Sequence, residues 1–352
     1  MNIRTMTSMF ASRRFILAYL LILLATACSK QDSGLDADRG PIPCIYADSR
    51  CRARLEIGGG LMLPYYRSFP LDARNPSITA ALIIVHGSNR DADRYFATGI
   101  FAATEAGRKT DTIIIAPNFQ TIDDDPAPDE AYWTSGGWKK GHLSVADELR
   151  PQRVSSYAAL DRIVETLGDR NLFPLLETVV IAGHSAGGQV THRYAAGNRV
   201  EQGLNGIHIR YVVANPSTYL YLGLERAAAG TLHEFVIPDY DACPTYNNWH
   251  YGLSNLNTYM SALSLEEISN QLVSRDVVIY VGSADTGSSM LDVSCGAMLQ
   301  GLHRYYRGLT LINYMNTFYP GNNHTLEVLP GVGHSSRTMF TSHLGLTILF
   351  EP

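Results

Sequence analysis

The sequence predicts an α/β domain: a mainly parallel central sheet, helices on both faces, and loop insertions. Three observations carry this. Apolar runs at 79–85 (TAALIIV), 112–116 (TIIIA), 177–182 (ETVVIA) and 277–281 (VVIYV) are continuous rather than alternating, as strands buried on both faces are. Segments with helical spacing separate them. The 352 residues are 45% hydrophobic and 17% charged, enough apolar side chain for a sizeable core and too little charge for a disordered chain.

The elements follow in order. Arg4, Arg13 and Arg14 precede the apolar run FILAYLLILLA at 15–25, which small residues and Cys28 follow. This is the pattern of a secretory leader, and the run is shorter than the roughly 20 residues of a membrane-spanning helix. Ala25-Thr26-Ala27-Cys28 resembles a bacterial lipobox, which implies acylation of Cys28, with Leu24 one place earlier than the usual leucine. The expected layout is a leader at 1–27, a flexible tether at 28–43 and one catalytic domain at 44–352. Export to the cell envelope, with the outer membrane favoured, or to the extracellular space follows from this reading.

Within the domain, 54–57 and 61–68 flank three glycines and read as a hairpin. Residues 92–106 and 155–167 have helical spacing. Helix continues after the glycine-rich turn at 183–188, and a strand spans 207–214. Residues 216–262 form a long polar and aromatic insertion. Ser264 and Glu267 make a capping box for a helix to Ser274. A last strand lies at 325–329. Cys44, Cys51, Cys243 and Cys295 form an even set, as expected in an oxidising compartment. Cys44–Cys51 with Cys243–Cys295 is the favoured pairing, because the first closes a short local loop. The net charge of −5, and the absence of a Lys/Arg block, exclude a nucleic-acid footprint. The leader takes three arginines and no acid with it. The more acidic mature chain is expected to disfavour polyanionic substrates mildly.

The chemistry centres on Ser185 within Gly183-His184-Ser185-Ala186-Gly187-Gly188. A lone Gly-x-Ser-x-Gly is weak evidence. Here it joins the end of a strand to the start of a helix, the setting a nucleophile elbow demands. A serine needs a base. His334, in a glycine-rich loop after the last strand, fits best. His324 lies at the wrong end of that strand, and the turn should aim His184 elsewhere. Asp285, just past the strand at 277–281, is the expected orienting acid, with Asp292 next and Asp239 and Asp241 in the insertion. Backbone N–H groups of Ser88 and Ala186 are the expected oxyanion donors, with Asn89 an alternative and Gly87 giving room.

The stretches VHGS at 85–88, GHSAGG at 183–188, GSAD at 282–285 and GVGH at 331–334 resemble those of α/β-hydrolase serine hydrolases, over roughly residues 50–350. The order Ser185, Asp285, His334 matches that superfamily. The GHSAGG form is similar to secreted esterases and polyester-depolymerase-like members. The resemblance implies an α/β-hydrolase fold and hydrolysis of small or polymeric esters through an acyl-enzyme, without cofactor or metal. A peptidase or amidase on the same fold, or an inactive surface-binding protein, are the alternatives. Expected substrate-binding residues are His86, Gly87, Tyr219 and Trp249. Trp133 and Trp138 are a candidate opposite wall. The expected partners are the ester substrate and a membrane, through the lipid on Cys28.

Overall fold

The computed structural model describes residues 41–351. The leader, Cys28 and most of the expected tether lie outside them. Ten strands are present: β1 (Arg52–Glu56), β2 (Met62–Arg67), β3 (Ala80–Val85), β4 (Thr112–Pro117), β5 (Thr178–His184), β6 (His208–Ala214), β7 (Arg226–Ala227), β8 (Phe235–Val236), β9 (Asp276–Gly282) and β10 (His324–Leu329). Eight of them form one sheet in the order β1-β2-β4-β3-β5-β6-β9-β10. The glycine turn at 58–60 makes β1 and β2 an antiparallel hairpin, and β2 meets β4 antiparallel. The other pairings are parallel. The central strands β3, β4, β5 and β9 bury side chains on both faces, which is why their sequences do not alternate.

Helices cover both faces. They are α1 (Ala92–Glu105), α2 (Ser156–Leu167), α3 (Ala186–Gly197), α4 (Leu265–Ser274), α5 (Cys295–Met298), α6 (Arg304–Phe318), α7 (Ser336–Thr341) and α8 (His343–Phe350). One apolar cluster joins α2, α3 and α6 to one side of the sheet. A second joins α1, α7 and α8 to the other. Ser155 caps α2 through the Tyr157 N–H, and Ser264 with Glu267 forms the capping box at α4. Among the described residues, no helix is long and apolar enough to cross a membrane.

Helix α6 carries no apolar stripe in the sequence, because its buried side includes Arg304, Arg307, Gly308 and Thr310. Loop carbonyls hold these arginines: Arg307 donates to those of Ser217, Gly301 and Asp292, and Arg304 to that of Ser289. The 216–262 insertion holds only the two-residue ribbon β7–β8 and one 3₁₀ turn. Disulfides join Cys44 to Cys51 and Cys243 to Cys295. The second ties the insertion to the segment before α6. Disulfides persist in oxidising compartments, so the two bonds mark an exported or extracellular domain.

Candidate active site

The turn after β5 places Ser185. Its φ of 59° and ψ of −115° lie outside the regions open to ordinary residues. Packing enforces that geometry. A Cβ on Gly183 would come 2.2 Å from the Gly187 carbonyl oxygen, and one on Gly187 would come 2.2 Å from that of Val85. Only glycine lets β3, β5 and α3 approach so closely. The Ser185 N–H donates to the Ala214 carbonyl of β6 at 2.9 Å, and the serine carbonyl accepts from Gln189 in the first turn of α3. Ser185 thus stands at the carboxyl edge of the sheet and the amino end of α3, with its side chain lining a cavity of about 490 Å³.

His334 lines the same cavity. Its Nδ1 lies 2.6 Å from Asp285 Oδ2, so an Nδ1–H donates to the carboxylate and Nε2 is left to accept. Asp285 follows β9 and His334 follows β10, and these strands are parallel neighbours. The two turns are laced together by the Ala284 N–H donating to the Val332 carbonyl at 2.9 Å. The Asp285 side chain is 1% exposed and that of His334 31% exposed. A buried carboxylate therefore holds an imidazole that solvent and ligand can reach. Among the described residues, no hydrogen bond joins the Ser185 hydroxyl to His334. Contacts of this type are often loose without ligand and tighten when one binds.

The turn after β3 forms the facing wall. Gly87, Ser88 and Asn89 line the cavity. Val85 of β3 is in register with Gly183 of β5, which brings this turn beside the elbow. Among the described residues, neither the Ser88 nor the Ala186 N–H has an acceptor. Two free backbone donors beside a hydroxyl, at a helix amino end, suit a developing negative charge.

Several expected positions are corrected. His86 is fully buried. Its Nδ1 donates to the Gly87 carbonyl at 2.9 Å and its Nε2 accepts from the Phe119 N–H at 3.0 Å, so it has no free group for a ligand. Burial pushes its pKa down to about 4, against the pull of the Gly87 hydrogen bond. Tyr219 is fully buried against His192, and its backbone is held by Gln300. Trp249 gives its indole N–H to the Lys140 carbonyl at 2.8 Å. No residue of the 216–262 insertion lines the cavity. Trp133 and Trp138 belong to the core beneath it. Asp292 is engaged elsewhere, accepting from Tyr251.

Sequence reasoning missed three neighbours. His184 is not turned away: it lines the cavity, and its ring lies 4.4 Å from that of His334. Burial, and then the nearby His334 and Arg304, hold its pKa well below the ordinary imidazole value, so it is neutral. Tyr95 on α1 places its hydroxyl 3.4 Å from His184 Nδ1 and against Gly87. In the sequence it reads only as an apolar helix position. Arg304, 1% exposed, sets its guanidinium 3.5 Å from the second oxygen of Asp285 and donates to the Ser289 carbonyl at 2.9 Å. No signal in the sequence separates it from a surface arginine.

Solved structures share the fold. A poly(3-hydroxybutyrate) depolymerase from Bordetella parapertussis superposes with a TM-score of 0.59 at 19% identity, over 85% of this chain and 90% of that one. Poly(aspartic acid) hydrolase-1 from Sphingomonas sp. KT-1 gives 0.58 at 21% identity, over 85% and 97%. No family model and no curated protein matches the sequence. Sheet order and superposition together establish an α/β-hydrolase fold.

Proposed function

We propose that this chain is a serine hydrolase that cleaves carboxylic esters through an acyl-enzyme on Ser185. The observation that carries the reading is the 2.6 Å contact between Asp285 and His334, at the rim of the cavity that holds Ser185. In this reading His334 Nε2 takes the hydroxyl proton as Ser185 Oγ attacks the ester carbonyl. Asp285 fixes the ring and stabilises the imidazolium. The N–H groups of Ser88 and Ala186 receive the oxyanion. His334 then protonates the departing alcohol, and water attacks the acyl group by the same steps in reverse. The Bordetella neighbour acts on a polyester, which makes polyesters one class to test beside small esters.

A fluorophosphonate probe tests the core of this. It reacts only with an activated serine, so folded wild type is expected to label and Ser185→Ala is not. Loss of labelling in His334→Ala, with the melting temperature retained, is the companion result. A folded wild type that does not label overturns the proposal in favour of a binding protein. Matched ester and amide substrates separate esterase from amidase. Acylation of Cys28 belongs to the same proposal: cells fed an alkynyl fatty acid should label the wild-type protein and not Cys28→Ser.

A further inference from the structure

The cavity beside Ser185 carries two cations that the protein leaves without a counter-charge. Arg94 on α1 and Arg337 on α7 both line it, and both are exposed. Among the described residues, neither forms an ion pair. Asp91 lines the same cavity, yet lies beyond pairing distance of both. The nearby Arg90, by contrast, is tied to Asp124 at 2.6 Å. The Arg337 guanidinium rests over the Phe101 ring, 4.9 Å from its centre. Such stacking uses the flat face of the group and leaves its forked N–H edge free. Phe101 and Arg94 lie two turns apart on α1, and α1 packs against α7, so the two arginines share one wall.

The imbalance continues on the other flank of α3. Arg193 is fully buried, and its guanidinium donates only to neutral oxygens, those of His250, Lys139, Gln189 and Thr218. Lys139 and Lys140, half-buried beside it, have no carboxylate within 4.0 Å among the described residues. These three cations lie outside the cavity lining, and like Arg94 and Arg337 they lack a carboxylate partner in a chain whose net charge is −5. Whole-chain charge argues against anionic substrates; the two unpaired arginines lining the cavity argue for them.

We infer that the ester this site accepts carries a carboxylate, and that Arg94 and Arg337 bind it while the ester carbonyl sits at Ser185. The inference rests on the esterase reading above. Each guanidinium fork matches a carboxylate in shape and charge. About 490 Å³ holds a small ester together with an anionic tail.

The test compares the mono-4-nitrophenyl ester of glutaric acid with 4-nitrophenyl pentanoate, a neutral ester of similar length. Wild type at low salt is expected to favour the charged ester by about tenfold in kcat/KM, with the preference shrinking as salt is added. Arg94→Gln combined with Arg337→Gln should bring the ratio to about one. Arg162→Gln, which removes an exposed arginine on α2, should leave the ratio alone. A second arm measures glutarate binding to Ser185→Ala by calorimetry, with and without the two arginine substitutions. Hydrolysis of the neutral ester with no preference for the charged one overturns the inference and leaves the esterase reading standing. Arginine-dependent glutarate binding without hydrolysis of either ester does the reverse. Neither hydrolysis nor binding rejects both.

Discussion

The nucleophile and the base are held in opposite ways. Every residue from Gly183 to Gly188 is buried, whereas none from Gly331 to Thr338 is. The elbow is fixed by backbone collisions: β3, β5 and α3 come so close that only glycine fits at two positions. The base loop has slack. A Cβ on Gly333 would meet nothing nearer than the Ala284 carbonyl at 3.7 Å. What fixes the imidazole is one hydrogen bond to a buried carboxylate, itself held by a buried arginine on α6. The two halves differ accordingly in what breaks them: backbone bulk in the first, loss of a charge partner in the second.

The largest effect should come from Gly187→Ala. The added methyl collides with the backbone of β3, and the loss in stability is expected to exceed about 4 kcal/mol, measured by denaturant unfolding. A well-folded Gly187→Ala would remove the claim that packing shapes the elbow. Arg304→Met comes next. Removing one partner of a buried ion pair costs on the order of 3–5 kcal/mol. On the base side it should also lower kcat more than it raises KM, because Asp285 loses its anchor. Unchanged kcat in a folded variant would show that the carboxylate stays in place unaided.

Acid should act less on either half directly than through histidines buried elsewhere in the core. His86, under the turn after β3, and His324, at the start of β10, are buried and held down to about 4 against an ordinary value of 6.5. The unfolded chain takes up their protons first. The stability they give is complete above pH 6.5 and is lost as the pH falls through 4, at on the order of 3 kcal/mol for each. His184 and His192 act in the same direction. Asp161 opposes them. Burial raises it to about 6 despite hydrogen bonds from Tyr194 and Tyr259, so its contribution is complete below 3.8 and lost as the pH rises through 6. The histidines outnumber it, so the melting temperature should drop between pH 6.5 and 4. A flat profile there would mean that these rings are not held neutral by the fold. The smallest effect belongs to Gly333→Ala, expected within about 0.5 kcal/mol of wild type by thermal melting.

The same contrast explains what could be read from the residues alone. The central strands and α3 are legible because uninterrupted apolar runs and close-set glycines admit few other arrangements. Helix α6 is not, because it buries arginines whose partners lie in distant loops. The sequence position of His184 suggests that it turns away, yet its ring packs on His334, a contact set by β10 rather than by the elbow. Tyr219 and Trp249 belong to an aromatic-rich insertion that suggests a binding wall. Their hydrogen bonds instead tie the insertion to the rest of the domain, the Tyr219 backbone to Gln300 and the Trp249 indole to Lys140, and no sequence pattern distinguishes the two uses. Net charge is legible as a total, but the meeting of Arg94 and Arg337 at one cavity exists only once the chain is folded.

The backbone angle at position 185 has a cost of its own. A side chain at φ 59° and ψ −115° is held there by its surroundings, and strain of this kind amounts to roughly 1–3 kcal/mol. Glycine tolerates that conformation. Ser185→Gly, stripped of its nucleophile, should therefore melt at a higher temperature than the native chain: the molecule tolerates a weak point in its own architecture to keep one hydroxyl facing the cavity.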